Sequence, residues 1–356
     1  MGDMITAMVT GGGAPGTAGT IFALRNNPDN AGLRIVTTDI RDHVVGKYLS
    51  DAFYTVPQPE DDDYVGRLSD IVRRENIKVI IPQTTREVET ISEYEGHFRG
   101  LGARVIASEY KSVKEANDKS ALLARAEKTG IPFPLYVLTR SEDEFVTAVK
   151  GLGYPAKKVV IKPPVSNGMR GLRILSGEPW NVRRFLGEKP DGTEIDLDNI
   201  LKILRNGIWP PLLVSKYMEG AEYTVDVFRN GSGVVAIPRL RKSIRSGITF
   251  ESHADYREDM MEYSRKLADA CDLKYCFGFQ FKLSREGIPK LLECNPRVQG
   301  TMVFSAFAGF NMIYYSVQEA LGRAVDTGNV TLSRNIHFKR YWGGIASGDG
   351  VFIGRV

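Results

Sequence analysis

The chain has 356 residues, 42% of them hydrophobic and 25% charged, which excludes an intrinsically disordered protein and suits two or three folded domains. The net formal charge is only +4, and no basic run is interleaved with aromatics, so nucleic acid is not expected as a partner, whereas scattered cations suit small anions such as nucleotides. Cys271, Cys276 and Cys294 show no C-x-x-C spacing, no run reaches bilayer length and no charged segment precedes an apolar one; this argues against a disulfide framework, a zinc site, a membrane span and a signal peptide, and fits a reducing cytoplasm.

The start Met1-Gly-Asp-Met-Ile-Thr6 matches a myristoylation pattern. It is set aside because the next residues form a core strand. Residues 4–9 predict that strand, which runs into the glycine turn 10–16. A helical pattern follows through Ile21, Phe22 and Leu24, then a strand over 33–38 ending at Asp39. Short strands are expected at 79–81 and 104–106, with helices over 61–74 and 86–98. Strands alternating with helices imply an α/β, Rossmann-like parallel-sheet domain over residues 1–112. The turn approximates a dinucleotide fingerprint, with Asp39 where a ribose-binding acid would stand. Gly11, Gly13, Gly16 and Gly19 do not give that spacing cleanly, and a strand–helix junction needs glycine for packing alone.

Residues 110–130 read as helix and 131–134 as a rigid extended stretch with two prolines. Lys119 stands in an Asn-Asp-Lys-Ser run, and Lys162 lies near the end of the strand 157–164. Both could reach phosphate oxygens; each alone reads as a solvated surface lysine. Ser166, Gly168 and Gly171 belong to a glycine-containing turn before a returning strand at 172–175. Residues 188–207 are charged and irregular, then helical. The strand 212–218 carries Ser215, Lys216 and Met218 and leads to Glu222. By itself it is a buried edge strand followed by an acidic turn. Arg239 and Arg241 alternate on one strand face, and Arg245 is expected in the loop beyond. Paired guanidiniums bind carboxylate or phosphate in a forked manner; a solvated basic strand is the plain alternative. His43, His97, His253 and His337 are scattered without ligand spacing. Phe304, Phe307, Phe310, Tyr314 and Tyr315 read as core at helical spacing, and 338–342 as a last strand.

Residues 277–298 are the most informative. They read as two strands around a tight turn, with Gln280 on the first. Glu293 and Asn295 share one face of the second, and Arg297 continues the alternation after Pro296. One carboxylate, two amide oxygens and a guanidinium then converge. Hard oxygens suit Mg2+ carrying a nucleotide, and the arginine suits phosphate. An ordinary hairpin with a wet polar face has the same pattern. Cys294 points to the opposite, buried face.

Gln280 followed by Leu291-Leu-Glu-Cys-Asn-Pro-Arg297 resembles the metal-binding hairpin of ATP-grasp enzymes, in particular one synthetase unit of the carbamoyl phosphate synthetase large subunit. Asp118-Lys119, Lys162 with its glycine loop, the strand 212–218, Glu222 and the arginine segment follow in that family's order. The loop departs from the family, because Met169 and Arg170 separate its glycines. The resemblance implies the N-terminal domain followed by a two-part ATP-grasp fold over 113–356, with a mobile α+β lid at about 131–218 and an α+β body. It implies Mg2+ ligation by Gln280, Glu293 and Asn295, with Glu293 bridging two ions and Mn2+ a substitute. Lys119, Lys162, Ser166, Gly168 and Gly171 would hold the ATP phosphates, Ser215, Lys216 and Met218 the adenine, and Glu222 the ribose. Arg239 and Arg241 would bind the acyl substrate and Arg297 the transferring phosphate. The implied activity is an ADP-forming carboxylate–amine, or carboxylate–nucleophile, ligase working through an acyl phosphate on small molecules, with a homodimer compatible. The alternatives are bicarbonate phosphorylation, as in carbamoyl phosphate synthetases and carboxylases, and a nucleotide-binding regulator without turnover. With one synthetase unit present, full carbamoyl phosphate synthesis is not expected.

Overall fold

The computed structural model describes residues 4–189, 192–341, 343–348 and 351–355. The chain divides into two compact units: residues 1–117, 221–281 and 293–356 form the first, residues 118–220 and 282–292 the second. Among the described residues no helix is long and apolar enough to cross a membrane.

The first unit opens with a parallel sheet of β1 (Ile5–Val9), β2 (Leu33–Asp39), β3 (Ala52–Thr55), β4 (Val79–Ile81) and β5 (Arg104–Val105), in the order β3-β2-β1-β4-β5. β1 is buried throughout, as a central parallel strand covered on both faces must be. Strand order reverses at β1 and β4, where doubly wound sheets open a crevice at the strand ends. Met8, Val36 and Ile80 face the helix Asp63–Glu75 through Leu68, Ile71 and Val72. β3 was not expected; none of its four residues is fully buried, so no apolar run marks it. Two expected helices are each split. The stretch 86–98 becomes Thr85–Glu93 and Glu95–Gly100, and 110–130 becomes Tyr110–Asn117 and Lys119–Lys128. At the second break Asp118 is extended, and its carboxylate accepts hydrogen bonds from the Ser120 and Ala121 amides, starting a new helix.

The second unit carries β6 (Tyr136–Thr139), β7 (Val159–Lys162), β8 (Arg173–Leu175), β9 (Glu194–Ile195) and β10 (Leu212–Lys216), in the order β6-β10-β7-β8-β9. Its core joins Val159, Ile161, Leu175 and Val214 to Phe145, Val149, Ile200 and Leu201 from two helices. Each such side chain contributes roughly 1.5–3 kcal/mol on full burial. The helix Glu142–Gly151 was unexpected, yet Ser141 with Glu144 three residues on marks its start, and the Ser141 hydroxyl accepts from the Glu144 amide.

The third sheet is built on β11 (Glu222–Asn230), β12 (Gly233–Arg245), β13 (Ile248–Ala254), β14 (Tyr275–Leu283), β15 (Pro289–Asn295) and β16 (His337–Lys339), in the order β15-β14-β11-β12-β13-β16. Arg245 ends β12 instead of lying in a loop; it pairs with Ile248, and its guanidinium lies 4.8 Å from the Phe250 ring centroid. Phe228 and Ile237 of this sheet share a core with Ile5, Ala7 and Val9 of the first and with Phe304, Phe310 and Met312. Phe307, expected in the core, is 42% exposed. Phe310 lies between the helices Phe304–Phe307 and Met312–Ala320. β17 (Ile345–Gly348) and β18 (Val351–Arg355) form a separate pair. Trp342, at the end of the expected last strand, lies outside the described residues, as do Met1–Asp3.

Candidate functional site

In the first unit, register sets the site. Arg239 pairs with Thr224 across β11–β12, and Arg241 with Ser252 across β12–β13. Alternation therefore puts Glu222, Asp226, Arg239, Arg241 and Ser252 on one sheet face. Neither arginine is a free cation. Arg239 is 1% exposed and Asp226 is fully buried, with Nε 2.8 Å from Oδ2 and Nη2 3.3 Å from Oδ1. Arg239 Nη1 makes no hydrogen bond among the described residues. Burial pushes the Asp226 carboxyl above its ordinary range against the pull of Arg239. Arg241 Nη1 donates to both Glu222 Oε1 and Gln280 Oε1; its Nε donates to Thr249 Oγ1 at 2.8 Å and its Nη2 to the Gly247 carbonyl at 2.6 Å. The Glu293 charge also acts on it.

Glu293 and Asn295 stand two apart on β15 as expected, with Cys294 buried between them. Arg297 Nη2 donates to Asn295 Oδ1 at 3.2 Å, and Nε to Thr85 Oγ1 at 3.3 Å. Its charge lies near Glu293 and Glu87. Glu87 was not foreseen. It closes a capping box with Thr84, a spacing legible as Thr-x-x-Glu, and burial pushes its carboxyl up to about 7. Arg340 was not foreseen as part of the site either. It donates to the Thr249, Pro15 and Gly300 carbonyls and to Thr301 Oγ1, and Arg239 is near enough to act on its charge.

In the second unit, Lys119 Nζ lies 3.3 Å from both the carbonyl and the hydroxyl of Ser166, and the Lys119 amide donates to the Pro164 carbonyl. Lys162 Nζ donates to the Leu292 carbonyl at 3.2 Å. Both lysines are buried, at 4% and 8% exposure. Gly168 and Gly171 have φ of +58° and +75°, so each needs glycine's freedom. A Cβ on Gly171 would sit 2.6 Å from Pro163 Cγ. Ser215 and Met218 are buried, and Lys216 is exposed at the end of β10.

The glycine turn satisfies itself. The Gly12 amide donates to the Thr38 carbonyl, Gly13 to Asp39 Oδ2 and Ala14 to the Gly11 carbonyl. Asp39 also accepts from the Arg41 amide. Its carboxylate is turned onto the glycine turn itself, in keeping with the packing role read for those glycines.

Burial pushes the Cys276 thiol to about 12 and Cys294 well above its ordinary value, so neither is a nucleophile. Among the described residues no group of three or more His, Cys, Asp or Glu is placed to hold a metal ion. The set of Gln280, Glu293 and Asn295 is of another kind, one carboxylate and two amides. Hard oxygens of this kind are the ligands Mg2+ takes, and two of them already accept from guanidiniums, which a bound ion would have to displace.

Residues 209–340 match a family model described as an ATP-grasp in the biosynthetic pathway with Ter operon, and residues 9–106 match the PylC-like N-terminal domain. The chain is 24% identical over 230 residues to the carbamoyl phosphate synthase large chain of Pyrococcus furiosus, covering 62% of this chain and 20% of that protein. It is 21% identical over 272 residues to that of Clostridium acetobutylicum, covering 73% and 24%. It thus spans a quarter or less of these relatives. In fold it is similar to N5-carboxyaminoimidazole synthetase from Staphylococcus aureus, solved with ADP, at TM-score 0.67 and 14% identity, covering 92% of this chain and 80% of that one. It is likewise similar to Campylobacter jejuni biotin carboxylase, at TM-score 0.69 and 15% identity, covering 93% and 74%.

Proposed function

We propose that this chain, whose residues 209–340 match an ATP-grasp family model, is an ADP-forming ligase that activates a carboxylate as an acyl phosphate and passes the acyl group to an amine or another nucleophile. The observation that carries this reading is the polar sheet face on which Arg241 ties Glu222 to Gln280 beside Glu293. An amide, two carboxylates and a guanidinium meet there, the groups that metal, ribose and carboxylate binding would need.

Gln280, Glu293 and Asn295 would hold two Mg2+ ions, with Glu293 bridging them and Mn2+ able to substitute. Bound Mg2+ would neutralise triphosphate charge at the transferring phosphoryl group. Lys119 and Lys162 would supply cations for phosphate oxygens, and the turn of Ser166, Gly168 and Gly171 would offer backbone amides. Ser215, Lys216 and Met218 would bind adenine, and Glu222 the ribose. Arg241 and Arg239 would orient the carboxylate and Arg297 the γ-phosphate. Charge stabilisation and alignment suffice for this transfer, so no nucleophilic side chain is required. Residues 1–112 would form the N-terminal domain and 113–356 the ATP-grasp fold, with a lid at about 131–218.

Hydroxylamine traps acyl phosphates. ADP release and hydroxamate formation across panels of carboxylates would therefore test the reading. Hydroxamate with a carboxylate supports it. A structural neighbour was solved with MgADP and bicarbonate, so bicarbonate-dependent ADP release without hydroxamate would favour the carboxyphosphate alternative. ATP binding with no ADP release under any condition would leave a regulator.

A further inference from the structure

We propose that Arg340 and the start of the helix Thr17–Arg25 bind the anionic group, carboxylate or phosphate, of the second substrate, so that the nucleophile receiving the acyl group is itself an anion. Which molecule enters rests on the ligase reading above; the site itself rests on geometry. All of its residues belong to the first unit.

Arg340 is half-buried, and its hydrogen-bond partners among the described residues are all neutral. Nε donates to the Thr249 carbonyl at 3.0 Å and Nη1 to the Pro15 carbonyl at 3.2 Å. Nη2 donates to the Gly300 carbonyl and to Thr301 Oγ1. Arg239 and Arg241 each hold an acid; Arg340 holds none among the described residues. Burial, and then the charge of Arg239, push its pKa down. A partly buried cation without a counter-charge is costly, and a second guanidinium nearby adds repulsion. An anion relieves both.

The helix start supplies further donors. Pro15, whose carbonyl Arg340 holds, precedes the N-cap Gly16. No side chain caps this end, and its first turn carries no acid. Such a start presents backbone amides and the positive end of the helix dipole. A Cβ on Gly16 would lie 3.0 Å from Gly300 Cα and 3.3 Å from Gln83 Oε1, so these residues meet at one place. Gln83 is 3% exposed, and its Oε1 accepts from Thr20 Oγ1 at 3.0 Å. Its Nε2 has no partner among the described residues, a costly state unless an acceptor arrives. The acids of the glycine turn serve its other end, Glu87 at Gly11 and Asp39 at the Gly13 amide. A guanidinium, helix amides and a carboxamide N–H select an anion.

The acyl carboxylate is assigned to Arg239 and Arg241, and the ATP phosphates to the lysines, the lid turn and Arg297. An anion at Arg340, beside Arg239, would stand next to the acyl group and not in its place. That is where an attacking nucleophile must be held. The strand ends of β1 and β4 are also where a doubly wound sheet takes a ligand.

The test is calorimetric titration of inorganic phosphate and, separately, of acetate into the full chain preloaded with Mg2+ and a non-hydrolysable ATP analogue. The expected result is one anion per chain, bound about tenfold or more weakly in Arg340→Gln. Ala18 is exposed in the first turn of the helix. Ala18→Glu puts a carboxylate where the helix dipole favours it, so this variant should keep its unfolding midpoint and still lose the anion. Tighter phosphate supports a phosphorylated nucleophile, and tighter acetate a carboxylated one. If the ATP analogue fails to bind, the ligase reading fails, and the same titrations without it still decide the anion site. No anion uptake by the unaltered chain would overturn the proposal. So would uptake unchanged in Arg340→Gln or in Ala18→Glu.

Discussion

Arg241 is the residue on which the acids and amides of the site converge, with four hydrogen bonds to Glu222, Gln280, Thr249 and Gly247. Lysine is a point charge and cannot reproduce that fork. Arg241→Lys should therefore lower carboxylate-dependent ADP release by roughly 10²-fold. It should also weaken ATP binding, because Glu222 loses its partner. Turnover and nucleotide affinity measured on the one variant check this, and no change in either would leave Arg241 a structural residue with no part in binding. Glu87 gives a second residue-scale outcome. Its folded pKa is raised, by burial first, from 4.5 to about 7. The stabilisation from keeping it protonated is complete below about pH 4.5 and is lost as pH rises through 7, at about 3 kcal/mol in full. Glu87→Gln should flatten the fall in unfolding free energy between pH 5 and 7.5 seen by urea denaturation. An equal slope in both proteins would refute this. The pairing of Arg239 with Asp226 was not legible because it depends on β11–β12 register, thirteen residues apart in the chain.

At the scale of elements, strong local signals were read correctly and weak ones were not. The buried β1, the long hairpin strands and the glycine turn announce themselves by apolar runs and glycine spacing. β3 has three half-buried residues and one exposed one, and the break at Asp118 depends on a cap inside a continuous helical pattern. The four histidines show no spacing in sequence, and only strand register sets His253 against His337. The loop 166–171 combines three left-handed residues, Gly168, Met169 and Gly171, so it should be easily remodelled by a ligand. Hydrogen exchange with and without Mg-ATP should show new protection across 166–171. Unchanged exchange under saturating nucleotide would contradict its role as a phosphate-binding lid turn.

For the molecule as a whole, the fold class was legible because the motifs keep a family's order along most of the chain. What the motifs could not convey is charge compensation: both arginines expected to meet substrate are held by acids of the same face. On the proposed assignment, substrate binding at Arg241 would compete with Glu222 and so would couple the nucleotide and carboxylate steps through one guanidinium. All of this rests on Glu293 carrying the metal charge. An amide keeps its shape and loses its charge, so Glu293→Gln should fold normally and lose at least about 10²–10³-fold in turnover. The decisive measurement is Mg2+-dependent ADP release by the unaltered chain and the folded Glu293→Gln variant, side by side, with the best carboxylate. The account predicts release by the first and almost none by the second; equal release by both would contradict it.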